Sequence, residues 1–123
     1  MTPVPTDRAR EALPTVTPVA FQILLTLADG ERHGYAIMRE VADRTDGAVR
    51  LGPGTLYGSL QRLRESGLIG EGAERADTEL GDERRRYYRI TDRGLAVAKA
   101  EARRLDSMLR VARAKRLIGP ELA

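Results

Sequence analysis

The chain has 123 residues, of which 41% are hydrophobic, enough for one small domain with a single core. Lysine and arginine number 21 against 18 aspartates and glutamates, a formal charge of +3 that permits contact with a polyanion without forming a basic tail. Cysteine is absent and there is one histidine, which excludes disulfide scaffolds, thiol catalysis and cysteine-based zinc sites.

Residues 1–15 hold Pro3, Pro5 and Pro14 around a charged patch from Asp7 to Glu11, with few apolar groups to offset ordering entropy, and a mobile arm is expected there. The N-terminus lacks the basic-then-apolar order of a signal peptide, so a cytoplasmic location is expected. The most apolar stretch, residues 19–28, is about half of the ~20 residues a membrane helix needs and is interrupted by Gln22 and Thr26.

Thr17 is placed to cap a first helix, with Pro18 at its first position and Ala20, Ile23, Leu24 and Leu27 at helical spacing until Asp29-Gly30. Gly34 opens a second helix, with Ile37, Met38, Val41 and Ala42 on one face and Arg39, Glu40, Asp43 and Arg44 on the other, ending near Asp46-Gly47. Residues 48–51 read as a stub of strand. Gly52-Pro53-Gly54-Thr55 then starts a third helix over residues 53–66. Its inward stripe is Leu56, Leu60 and Leu63, and its other face carries Thr55, Tyr57, Gly58, Ser59, Gln61, Arg62 and Arg64.

Residues 68–73 and 84–90 read as two strands of a hairpin, joined by the polar stretch 74–83. Thr91 caps a last helix, in which Leu95, Ala98, Ala102, Leu105, Leu109 and Ala112 step by three and four as a heptad seam. The expected fold is therefore mainly α with a small β-hairpin: a winged helix-turn-helix over residues 16–91, a dimerisation helix over 92–118 and a tail over 119–123.

In that order of elements the third helix enters a DNA major groove. Thr55 and Ser59 can donate to phosphates or bases, Tyr57 offers a ring and a hydroxyl, Gln61 has adenine-reading geometry, and Arg62 suits guanine or phosphate. The same face would also serve as a solvated helix surface. Gly58 argues for something closely approaching the backbone, either a phosphate or a neighbouring helix, because a mid-helix glycine is unfavourable by roughly 0.8–1 kcal/mol.

Arg84, Arg85 and Arg86 open the returning strand and would contact a groove or the DNA backbone, unless they pair with Asp77, Glu79, Asp82 and Glu83. Across residues 71–86 six acids face four arginines, which is the best argument for the alternative function, a winged-helix protein-interaction module without specific DNA binding. At least one of Tyr87 and Tyr88 is expected to pack in the core. His33 has no second imidazole to share a metal, so no metal site, catalytic residue or cofactor is expected. The seam of the last helix is expected to be buried either by a second copy or against the first helix.

The runs HGYAIMREV, LGPGTLYGSLQRLRESGLI and RRRYYRITDRGLAVAKAEARRL resemble, in register, the PadR family of winged-helix transcriptional regulators, in its short C-terminal subfamily. The resemblance covers residues 17–105. It implies a dimeric repressor that binds a palindromic operator in double-stranded DNA through the third helix and the wing. It also implies dimerisation through the last helix and, in some members, release by a small-molecule effector, whose identity here is unknown. By position it places Thr55, Tyr57, Ser59 and Arg62 on the DNA-reading helix, and Gly34 at a helix start whose backbone amide can meet a phosphate.

Overall fold

The computed structural model describes residues 13–76 and 84–119. Most of the expected arm, residues 77–83 of the expected hairpin connection and residues 120–123 lie outside the described residues. Among the described residues, four helices and three strands follow in the order α1 (Pro18–Leu27), β1 (Arg32–His33), α2 (Gly34–Arg44), α3 (Pro53–Glu65), β2 (Ile69–Ala76), β3 (Arg84–Ile90) and α4 (Asp92–Ala114).

Local chemistry sets the ends of these elements. Thr17 Oγ1 accepts from the Ala20 amide at 3.1 Å, and Pro18 occupies the first turn of α1, where an absent N–H costs nothing. The cap of α2 is His33, whose Nδ1 accepts from the Ala36 amide at 3.1 Å. Thr91 Oγ1 accepts from the Gly94 amide at 3.0 Å and donates to the Gly67 carbonyl at 2.7 Å, so one hydroxyl both starts α4 and fastens it to the end of α3.

The helices converge on one core of Ile23, Leu24 and Leu27 from α1, Ile37 and Val41 from α2, and Leu56, Leu60 and Leu63 from α3. Leu51, Leu68, Ile69, Tyr88 and Val97 close it. Burying each such side chain contributes about 1.5–3 kcal/mol, and this convergence holds the short helices in place. Arg44, at the end of α2, reaches back across α1, donating to Gln22 Oε1 at 2.7 Å and to the buried Thr26 Oγ1 at 3.0 Å.

The sheet has the order β1-β3-β2, all neighbours antiparallel. The third strand was not expected: Arg32 pairs with Tyr88 and His33 with Tyr87, so the wing is tied to the start of α2. Residues 48–51 form no strand. There the Thr45 carbonyl takes the Ala48 amide and Thr45 Oγ1 the Val49 amide, each at 3.0 Å, which leaves a turn that tucks Leu51 into the core. Strand β2 starts one residue later than expected and continues to Ala76, with a register irregularity between Glu71 and Glu74.

The last helix packs differently from its seam. Its buried positions are Gly94, Val97 and Glu101, while Leu95 and Ala98 are half-buried and Ala102 and Leu109 exposed. A β-carbon on Gly94 would run into the Leu68 carbonyl oxygen and lie 2.7 Å from Ile90 Cγ1. Glycine is what lets α4 begin directly on the base of the wing.

Candidate nucleic-acid interface

The surface of α3 follows from the arc its core residues occupy. Leu56, Ser59, Leu60 and Leu63 are buried, and Ser59 corrects the expectation that it lies on the outer face. At roughly 100° per residue, Ser59 falls within about 40° of Leu63, on the edge of the leucine stripe, and so turns inward with it. It is brought together with Arg62, whose Nη2 donates to Ser59 Oγ at 3.3 Å. Both border a shallow groove that runs against residues 14–17 ahead of α1.

Thr55, Tyr57, Gln61 and Arg62 are exposed, as expected of a reading face. Between them the backbone is bare. Apart from the helix's own neighbouring backbone and the adjoining residues, no described atom lies within 4 Å of a β-carbon position on Gly54, and at Gly58 the neighbour is Arg62 Nη1 at 3.5 Å. A neighbouring helix of the described chain is therefore eliminated as what approaches Gly58. Farther along the face Gln61 Nε2 donates to Glu65 Oε2 at 3.3 Å.

Tyr57 and Gly34 meet. The tyrosine hydroxyl stands 2.6 Å, and its ring carbon Cζ 3.0 Å, from where a β-carbon on Gly34 would lie, so this side chain bridges the outer face of α3 to the start of α2. On the other side of that start, His33 makes an edge contact with Tyr87 at 5.3 Å between ring centres and a looser stack with Tyr35 at 6.4 Å. Arg39 lies 5.5 Å above the Tyr35 ring.

The wing meets α3 at the Glu71 carboxylate. Arg64 Nη1 and, at 3.3 Å, Arg86 Nη1 donate to Glu71 Oε1, and Arg89 Nη1 donates to the Glu71 carbonyl at 3.0 Å. Burial, with the Glu71 carboxylate adding to it, pushes the pKa of the neighbouring Tyr88 hydroxyl up against the opposing pull of Arg86 and Arg64. Arg86 thus sits beside α3. Arg84 and Arg85 lie on β3 opposite Ala76 and Arg75. The acids expected to pair with these arginines lie outside the described residues. Arg64 and Glu71 were missing from the expected site because their partnership spans elements; the sequence-level signal was the excess of acids over arginines in this stretch.

Three helices, a polar face on the third and a wing braced against it define a winged helix-turn-helix of the kind that docks on DNA. The model of the "Transcriptional regulator PadR-like family" matches residues 23–100, and the chain belongs to this family. Members are transcriptional regulators, a class distinct from enzymes. Transcriptional regulator Rv3488 of Mycobacterium tuberculosis is 34% identical over 92 residues, 75% of this chain and 79% of that protein. The uncharacterized protein X of Lysinibacillus sphaericus is 36% identical over 74 residues, and a protein of transposon TN4556 of Streptomyces fradiae 40% identical over 80. These matches cover 60% and 65% of this chain but only 65% and 21% of the respective relatives.

Among solved structures, a transcriptional regulator of Clostridium thermocellum superposes with a TM-score of 0.65 at 29% identity, over 78% of this chain and 90% of its own. Bacillus subtilis PadR in complex with operator DNA shares the fold with a TM-score of 0.58 at 20% identity, over 68% of this chain and 45% of its own. No helix among the described residues is long and apolar enough to cross a membrane.

Proposed function

We propose that this chain is a cytoplasmic, dimeric repressor that binds a pseudo-palindromic operator, with α3 in the major groove and the wing on the flanking backbone. The observation that carries this reading is the exposed face of α3, where bare backbone at Gly54 and Gly58 lies among Thr55, Tyr57, Gln61 and Arg62. A solvated surface has no use for two glycines on one helical face, whereas close approach to DNA has. The relative solved with operator DNA supports the choice of ligand.

Residues 16–91 serve as the DNA-binding unit and residues 92–118 as the dimerisation helix. Ala102 and Leu109 of the seam are exposed, as are the adjacent Met108 and Val111, so a second copy has an apolar strip to cover. Two such units present their reading helices to half-sites one helical turn apart, and occupancy of a promoter represses it. Release by a small-molecule effector completes the proposed cycle. A second reading, a winged-helix module that binds protein rather than specific DNA, is favoured by the excess of acids over arginines across residues 71–86.

Fluorescence anisotropy with a duplex from the chain's own promoter region and a scrambled duplex, at two salt concentrations, tests the proposal. Tight binding to the promoter duplex that weakens steeply with salt is expected. Equal, weak binding to both, or none at low salt, transfers the case to the protein-interaction module.

A further inference from the structure

We propose that Glu71 is the positioning residue of the DNA-binding face, gathering Arg64 of the reading helix and Arg86 of the wing into one unit that grips a backbone phosphate. This rests on the DNA-binding function proposed above. The two guanidiniums come from elements far apart in sequence, and both donate to the same carboxylate oxygen. Their side chains are 44% and 50% exposed, against 26% for Glu71, so the acid lies beneath and the cations face outward.

The donors of Arg64 suit an anion. A guanidinium has five N–H donors, and the contact from Arg64 to Glu71 occupies one nitrogen, so Arg64 can hold the acid and a phosphate together. The base of the unit is fixed as well. The Glu71 carbonyl accepts from Arg89, and Glu71 pairs with Tyr88, whose ring is buried in the core. Glu71 is the last residue before the pairing register of β2 with β3 shifts, and Arg86 pairs with Glu74 on the other side of that shift.

An acid on a DNA-binding face that did nothing else would only repel phosphate. Its removal would then strengthen binding to every duplex and leave the number of phosphate contacts as it was. A positioning role predicts the reverse for the specific complex.

The test is Glu71→Gln in the full chain, measured by anisotropy on a duplex that the unaltered protein enriches from a random-sequence pool and on a scrambled duplex. Thermal unfolding of both proteins serves as the control for folding. The variant is expected to keep its unfolding midpoint, to bind scrambled DNA at least as well as before and to lose affinity for the enriched duplex. The slope of log affinity against log salt is expected to shrink by about 1, one phosphate contact. In an Arg64→Ala/Arg86→Ala background the same change should have no further effect on the enriched duplex. Equal strengthening on both duplexes with an unchanged slope, or the same loss in the double-arginine background, overturns the proposal. If the unaltered protein enriches no sequence and binds no DNA, the DNA-binding function falls and the proposal with it; specific binding indifferent to Glu71 removes the proposal alone.

Discussion

The hydroxyl of Tyr57 stands 2.6 Å from the point a β-carbon on Gly34 would occupy, which joins the outer face of α3 to the first turn of α2. Only the far end of a flexible side chain would have to move for Gly34→Ala, so stability should change by less than about 1 kcal/mol. DNA affinity should nevertheless fall, because Tyr57 is pushed off its seat. Chemical denaturation beside DNA titration checks this, and Gly34→Ala that binds DNA normally would show that the seat of Tyr57 does not matter for the complex.

Gly94 presents a harder case, since what a β-carbon would strike is the Leu68 carbonyl oxygen and Ile90. Backbone cannot swing aside as a side chain can, and overpacking of this kind costs about 1–3 kcal/mol. A lowered denaturation midpoint is expected for Gly94→Ala, with the loss larger than for Gly34→Ala.

Thr91 caps α4 and holds the Gly67 carbonyl with the same oxygen. Thr91→Ala should destabilise the fold by about 1–2 kcal/mol, and Thr91→Ser, which keeps the hydroxyl, by much less. Equal losses in the two variants would assign the effect to the methyl group.

A buried carboxylate on α4 supplies a pH dependence. The hydrogen bond from Arg104 holds Glu101 below the usual carboxylate range, outweighing the opposing effect of burial. The carboxylate is favoured in the folded chain, so its contribution is fully present above the unfolded pKa and is lost as pH falls through the lower folded value. Stability of the unaltered chain minus that of Glu101→Gln should therefore be largest near neutral pH and shrink in acid. Because Arg104 is half exposed, added salt should also reduce the difference. A difference independent of pH would exclude the charged pair as its source.

Much of the fold was legible because its signals are local. Thr17-Pro18 and Thr91 announced their helices, and Leu56, Leu60 and Leu63 set the inner face of α3. The two residues of β1 carry no periodicity, and their pairing with Tyr87 and Tyr88 is settled only when the wing folds back on α2. Ser59 was misplaced because its polarity suggested the outside while its angle put it beside the leucines. On α4 the apolar seam was legible, but the face that packs inward includes Gly94 and Glu101, which a search for apolar residues passes over. The Glu71 cluster joins side chains 7 and 15 residues apart and could be seen only once the wing was in place.

The exposed part of the seam makes dimerisation testable without harming the monomer. Leu109 is 44% exposed, so Leu109→Asp should leave the folded core intact while placing a charge in the proposed interface. Sedimentation should report monomers for the variant and dimers for the unaltered chain; dimers for both would place the interface elsewhere.

Selection of duplexes from a random-sequence pool by the full chain, followed by sequencing, tests the central claim most directly. If α3 of a dimer reads DNA, the enriched sequences should be inverted repeats whose half-sites are centred about 10 base pairs apart, one helical turn. Sequences indistinguishable from the starting pool would contradict a specific DNA reader on this fold.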